Sequence, residues 1–194
     1  MKNIKIIQGD ITKLTVDAIV NAANKTLLGG LGVDGAIHQA AGPELLAECR
    51  QLHGCETGQA KITKGYKLPA KFVIHTVGPI YSGSAEDNKL LTSCYINSLN
   101  LAKSHGLHSI AFPAISTGAY GFPAAAAAHI AFTAVQNWLI QHSDYQMEVI
   151  MCAFDSKTTQ LYQAEVKKYA WVKIKKVAFN CFSEINLPDI ELSL

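Results

Sequence analysis

The sequence predicts an α/β protein, a three-layer α/β/α sandwich around a mixed, mostly parallel sheet. Two observations carry that expectation. Apolar runs of strand length, rich in Ile, Val, Phe or Ala, alternate along the chain with segments of helical period. Several of these runs are apolar at consecutive positions, the pattern of strands covered on both faces. With 194 residues, 49% of them hydrophobic and 16% charged, the chain suits one domain with a substantial core.

The predicted strands are Ile4–Gln8, Asp17–Ala22, Phe72–Val77, Ser109–Ala114 and Glu148–Ala153. Ile62–Leu68 is a weaker candidate, read as an edge strand, and Val172–Phe179 is a candidate for one more strand at the end. The helices between them are Gly35–Ala41, then Pro43–Leu52 with Pro43 suited to the first helical position. Asn88–His105 follows, with Leu90, Leu91, Cys94, Tyr95, Ser98, Leu99 and Ala102 on one face, and then Pro123–Gln141 and Thr158–Tyr169. Pro123 to Ile140 is the longest apolar stretch. His129, Thr133, Gln136 and Asn137 interrupt it, so it reads as a core helix and not a membrane span.

Charge and cysteine content narrow the function classes. A net charge of +2 is too close to balance to imply a nucleic-acid or membrane partner. The basic stretch Lys167, Lys168, Lys173, Lys175 and Lys176 alternates with apolar residues. It reads as a solvated helix end followed by a half-buried strand, with an RNA-contacting patch as the alternative. Cys49, Cys55, Cys94, Cys152 and Cys181 are odd in number and scattered, without zinc-site spacing; free buried thiols in a reducing cytosol are expected. The opening MKNIKIIQGD has no apolar core or cleavage signal of an export peptide, so a cytoplasmic location is expected.

The chemistry is expected where strands end, because open α/β folds gather ligands at strand carboxyl ends and at the amino ends of the following helices. Gly30-x-Gly32-x-x-Gly35 matches a dinucleotide-binding fingerprint letter for letter. Ala23–Leu28, however, separate it from its strand, and Glu56 is misplaced as the acid, so nicotinamide binding is rejected. What survives is a glycine-rich turn feeding a helix N-terminus, able to offer backbone N–H groups to a phosphate. Ser116–Gly121 repeats that physics before the helix beginning at Pro123, and neither loop contains Lys or Arg. A tight turn is the bland alternative for this second loop.

Asp34 and His38, four apart at a helix start, lie on one face and could orient a water for attack. Asp34 could equally be an N-cap and His38 a core residue. Asp10 suits either a cap for Ile11–Leu14 or an acceptor for an exocyclic amine. Asn24 could be a left-handed turn residue. Phe154 reads by default as a core aromatic, and His75 as a buried structural histidine.

Taken jointly and in order, Gln8-Gly-Asp-Ile-Thr12, Asn21-Ala-Ala-Asn24, Gly32-Val-Asp-Gly-Ala-Ile-His38, His75-Thr-Val-Gly-Pro79 and Pro113-Ala-Ile-Ser-Thr-Gly-Ala-Tyr-Gly-Phe-Pro123 resemble the macro domain family, in its MacroD branch. The resemblance covers roughly residues 3–170 of a single domain, leaving 171–194 as a C-terminal extension. It implies that Asp10 bonds the adenine amine of ADP-ribose, that the Ile11 backbone reads the ring, and that Phe154 stacks on it. Gly30, Leu31, Gly32, Val33, Ser116, Thr117, Gly118, Ala119 and Tyr120 would enclose the diphosphate, and Asn24 would fix the distal ribose. Asp34 would be the catalytic carboxylate positioning a water; His38 and Phe122 would line the distal ribose pocket, His38 as a supporting residue. The implied reaction is hydrolysis of esters on ADP-ribose: O-acetyl-ADP-ribose, or mono-ADP-ribose on Asp or Glu of modified proteins. It needs no metal or cofactor, because positioning a labile ester supplies much of the rate.

One departure concerns Leu31, which stands in a run the family fills with glycines. If Leu31 must take a positive φ, the cost is roughly 1–2 kcal/mol; in an extended conformation nothing is lost. The alternative from another class is a module that binds ADP-ribose without turning it over, against which Asp34 and Asn24 argue.

Overall fold

The computed structural model describes residues 3–168. Its six strands are β1 (Ile4–Gln8), β2 (Ala18–Ala23), β3 (Ala60–Lys64), β4 (Phe72–Val77), β5 (Ser109–Phe112) and β6 (Glu148–Ala153). They form one sheet in the order β1-β6-β5-β2-β4-β3, parallel throughout except for β3, which pairs antiparallel with β4 at the edge. The helices are α1 (Gly32–Ala41), α2 (Pro43–Gln51), α3 (Ala85–Ser104) and α4 (Ala124–Gln141), followed by α5 over residues 156–168. The expected sandwich is the observed one. The expected strand at Val172–Phe179, the extension 171–194 and Cys181 lie outside the described residues.

Period-2 alternation divides the core. Ala18 and Val20 of β2 face a layer holding α3, α4 and α5, with Leu91, Tyr95, Phe132, Trp138 and Tyr162 all buried there. Ile19 and Ala23 face the other layer, packed with Ile37 and Ala41 of α1 and Leu45 and Cys49 of α2. Burying large side chains on both faces is worth on the order of 1.5–3 kcal/mol each, and it holds the sheet in register. Cys49, Cys55, Cys94 and Cys152 are buried free thiols, as expected. No helix among the described residues is long and apolar enough to cross a membrane.

Element boundaries differ from expectation for identifiable reasons. The strand expected over Ser109–Ala114 stops at Phe112, because Pro113 has no N–H for the ladder. The edge strand expected over Ile62–Leu68 is Ala60–Lys64. Gly65 ends it by approaching so near Ala70 that a Cβ would lie 1.9 Å from the Ala70 carbonyl oxygen. Helix α3 begins before Asn88, at Ala85, because Ser84 and Asp87 form a capping box.

Asp17 also belongs outside its strand. Its carboxylate accepts from Lys71 Nζ at 2.7 Å, from the backbone N–H of His108 and Ser109 at 2.9 and 3.1 Å, and from Ser109 Oγ at 3.1 Å, tying the starts of β2, β4 and β5 together. Burial works against the charge, but hydrogen bonds from Lys71, His108 and Ser109 outweigh it and bring the Asp17 pKa down to about 2. A depressed carboxylate contributes stability that is complete above its unfolded pKa and is lost as pH falls through the folded one. Asp17→Asn should therefore lower the melting temperature at neutral pH, with the gap to wild type closing as pH approaches 2. A gap independent of pH would show that the charge is not what matters.

Candidate functional site

Every parallel strand delivers its carboxyl end to one side of the sheet, and a cavity of about 830 Å³ opens there, within the usual range for a ligand of nucleotide size. Its lining comes from the segment after β1 (Gly9, Asp10, Ile11), the loop from Asn24 into α1 (Gly30 to Asp34), the loop after β5 (Ser116 to Tyr120) and the segment after β6 (Phe154, Asp155, Thr158). Of the residues singled out from sequence, fourteen line it: Asp10, Ile11, Asn24, Gly30, Leu31, Gly32, Val33, Asp34, Ser116, Thr117, Gly118, Ala119, Tyr120 and Phe154. Among the described residues, none that lines it is Lys or Arg. An anion held here would be met by main-chain dipoles at the starts of α1 and α4.

Two expected lining residues sit elsewhere. Phe122 is 2% exposed and packs on Tyr81, ring centroids 4.9 Å apart, as part of the core. His38 points beneath the glycine turn into a separate shallow groove with Leu28, Gln39 and Leu46. Its Nε2 still approaches Asp34 Oδ1 to 3.5 Å, the one-face geometry expected of the pair. Phe122 is turned into the core by its place in a tight loop, and His38, on the same face of α1 as Asp34, lies one helical turn further from the cavity.

At one end of the cavity Asp10 caps the 3-10 turn Ile11–Lys13, its Oδ1 accepting from Thr12 N at 2.9 Å and Thr12 Oγ1 at 2.7 Å. The Thr12 bonds hold the carboxyl below its usual value against the effect of burial. Opposite stands Phe154, which is 85% exposed. The default reading as a core aromatic is overturned, because β6 ends at Ala153 and the chain turns Phe154 out over the cavity.

At the other end Asn24 is not left-handed; that conformation falls on Leu27, with φ 60°. The Asn24 side chain holds the loop, accepting from Thr26 N, Thr26 Oγ1 and Leu27 N on Oδ1 and donating through Nδ2 to the Gly29 carbonyl at 2.8 Å. The glycine turn is crowded by design of its backbone. A Cβ on Gly35 would lie 2.5 Å from the Gly30 oxygen, and one on Gly30 would lie 2.9 Å from Asp34 Oδ2. Leu31 escapes this crowding. Its φ is −101°, the positive φ values belong to Gly29 and Gly32, and its side chain is 94% exposed at the cavity rim.

Asp34 lies in the first turn of α1 but does not cap it; Leu31 is the N-cap and makes no side-chain bond. The carboxylate is 3% exposed. Burial raises its pKa, opposed by a 2.7 Å bond from Asn21 Nδ2 and by the nearby His38. His75 is buried as expected, and burial, with His38 nearby, lowers its pKa to about 3, so the ring is neutral.

The Ser116 loop stores strain. Ser116 takes φ 65° and its Oγ is buried without a hydrogen-bond partner among the described residues, features that cluster where ligands bind. It presses on Gly78, where a Cβ would lie 2.0 Å from Ser116 Oγ. Sequence reasoning missed Gly78 as a lining residue; its signal was a glycine directly after β4. It also missed Asp155 and Thr158, whose bonds (Thr158 N to Asp155 Oδ1, 2.8 Å) mark the start of α5 as an Asp-x-x-Thr cap.

A family model described as "Macro domain" matches residues 20–131. A macro domain-containing protein of Chlorobaculum tepidum is 58% identical over 161 residues, covering 82% of this chain and 93% of its own. The ADP-ribose glycohydrolase MACROD1 of Bos taurus is 56% identical over 170 residues, 87% of this chain; the match spans 52% of that protein, about half its length. Among solved structures, the Oceanobacillus iheyensis macrodomain with ADP superposes with a TM-score of 0.80 at 44% identity, covering 85% of this chain and 90% of that one. The Trypanosoma brucei macrodomain in complex with ADP-ribose gives 0.81 at 43% identity, covering 84% and 69%.

Proposed function

The chain belongs to the macro domain family, and from that premise we propose that it is a hydrolase that binds ADP-ribose and cleaves ester-linked groups from its distal ribose. The substrates proposed are O-acetyl-ADP-ribose and proteins carrying mono-ADP-ribose on Asp or Glu. Relatives named ADP-ribose glycohydrolase and neighbours solved with ADP or ADP-ribose support the reading. The observation that carries it is a buried carboxylate, Asp34, at the floor of a cavity walled by amide-rich loops.

In this reading the adenine lies between Asp10 and Phe154, and the diphosphate lies between the glycine turn and the Ser116 loop. The distal ribose then reaches Asn24 and Asp34. The ionised Asp34 orients a water against the ester carbonyl. The ribose oxygen departs with the proton that the water gives up, leaving ADP-ribose and a carboxylic acid. The rate comes from placing water and ester together in a fixed geometry. His38, outside the cavity but 3.5 Å from Asp34, acts on the carboxylate and not on the substrate.

Release of ADP-ribose from O-acetyl-ADP-ribose by the wild-type protein, with spontaneous hydrolysis subtracted, tests the proposal. Tight binding of ADP-ribose without release would make the protein a reader. Phe154→Ala should weaken ADP-ribose by roughly 1–3 kcal/mol, the scale of one base on one aromatic ring, and leave ribose 5-phosphate unaffected. Equal losses for both ligands in calorimetry would remove Phe154 from the adenine. Leu31→Gly should leave turnover unchanged or raise it, since Leu31 is unstrained and outward. A large fall in kcat would make the leucine a positive feature of the site.

A further inference from the structure

Between the sheet and the α1–α2 layer, polar side chains lie buried among apolar ones, out of reach of the cavity. Asn21, Thr63 and His75 are 0%, 2% and 0% exposed. The β2–β4 register sets Asn21 beside His75, and the β3–β4 register sets Thr63 beside Val73, two residues along on the same face. Asn21 Nδ2 donates to Asp34 Oδ1 at 2.7 Å and lies 3.1 Å from His75 Nδ1.

These contacts determine the tautomer. An amide nitrogen has two hydrogens to donate and accepts none, so His75 Nδ1 must be the bare, accepting nitrogen of a neutral ring. The ring proton is then on Nε2, 2.9 Å from Thr63 Oγ1 and 3.6 Å from Cys49 Sγ. The Thr63 hydroxyl in turn points to the Val73 carbonyl at 3.5 Å. With Asp34 ionised, as the proposed reaction requires, rotating the Asn21 amide would place its oxygen 2.7 Å from the carboxylate, acceptor against acceptor. The chain of bonds therefore has one sense. The same logic argues against reading His38, Cys49 and His75 as a metal site, although their ligand atoms lie within 4.8 Å of one another. The His75 Nε2 proton is committed to Thr63, and burial holds Cys49 as a thiol, its pKa pushed up to about 11.

Resting on the hydrolase reading, we propose that His75 is a positioning residue: its Nε2–H tautomer locks the Asn21 amide, and Asn21 in turn aims the Asp34 carboxylate at the cavity. Burial favours neutral Asp34 and the Asn21 bond favours the ionised form. The titratable groups around this pair are His38 on α1, Cys49 on α2 and His75 on β4. Freeing the Asn21 amide removes the donor that favours ionisation, so the Asp34 midpoint moves up.

The test compares wild type, His75→Leu (apolar, similar volume) and His75→Asn, whose amide oxygen falls near the place of Nδ1. Three readouts are used: the Asp34 carboxyl midpoint by carbon-13 NMR, the kcat–pH profile, and the ADP-ribose Kd. His75→Leu should raise the midpoint and the acidic limb of kcat by about one pH unit and lower kcat on the order of tenfold or more, with Kd unchanged. His75→Asn should stay near wild type in all three. Equal losses in both variants with an unmoved midpoint would reduce His75 to a space-filler and overturn the inference, as would no loss in either. Nitrogen-15 shifts of His75 in the wild type read the tautomer without any variant, and a proton on Nδ1 overturns the inference. A wild type that releases no ADP-ribose would sink the hydrolase reading instead, while the midpoint would still decide whether His75 orders Asp34.

Discussion

Asp34→Ala is expected to abolish release of ADP-ribose from O-acetyl-ADP-ribose while changing ADP-ribose affinity by less than roughly 1.4 kcal/mol, a factor of ten. The expectation comes from where the carboxylate sits. It is buried, it faces the cavity at the start of α1, and it caps nothing, because Leu31 occupies the N-cap. Truncating it uncaps no helix and leaves both amide-rich loops in place. What goes is, among the described residues, the one carboxylate lining that end of the cavity that can hold a water by its charge. Burial raises its pKa, so the carboxylate protonates at a higher pH than a free aspartate. Wild-type kcat should therefore lose its acidic side at a higher pH than an ordinary aspartate would set. Loss of binding together with turnover would instead make Asp34 a structural residue.

Gly78→Ala should cost more than tenfold in ADP-ribose affinity and destabilise the fold by about 1–3 kcal/mol, the usual range for overpacking. The added Cβ would meet Ser116 Oγ at 2.0 Å and Ile115 Cγ2 at 2.8 Å. Turning the Ser116 hydroxyl away about χ1 would still leave Ile115 Cγ2 at 2.8 Å and Ser116 Cβ at 3.3 Å, on a backbone already at φ 65°. The Ser116 carbonyl accepts from Phe122 N at 2.9 Å, and the Tyr120 carbonyl accepts from Tyr81 N at 2.9 Å. The whole turn that faces the diphosphate in the proposed pose would shift. Adding Ser116→Gly removes the hydroxyl and suits the left-handed backbone, so the double variant should recover much of the affinity. Calorimetry and thermal melts on the single and double variants check this. A Gly78→Ala protein that binds like wild type would show that the loop is more plastic than its contacts imply.

Much of this architecture was legible in the sequence because its signals are local. Alternation in Ile19, Asn21 and Ala23, and again in Val73, His75 and Val77, already puts Asn21 and His75 on one sheet face. Phe154 was misread because a single aromatic after a strand carries no mark of whether the strand has ended. The cue lay in Asp155 and Thr158, which begin α5 and turn the chain outward. For His38 and Phe122, position in a motif indicated neighbourhood but not direction.

By itself, then, the sequence determined the alternation of strands and helices, the layers, the loops that gather at strand ends and the family. Those depend on side-chain period, on turn residues and on short motifs, all properties of neighbouring residues. Only the tertiary structure decided that Leu31 is extended and unstrained, that Gly78 must be bare beneath Ser116, and that His75 accepts from Asn21. Each depends on ångström-scale contact, and the last two join segments far apart in the chain. Such distances follow from how the sheet orders its strands and how the layers close over it, which no local pattern encodes.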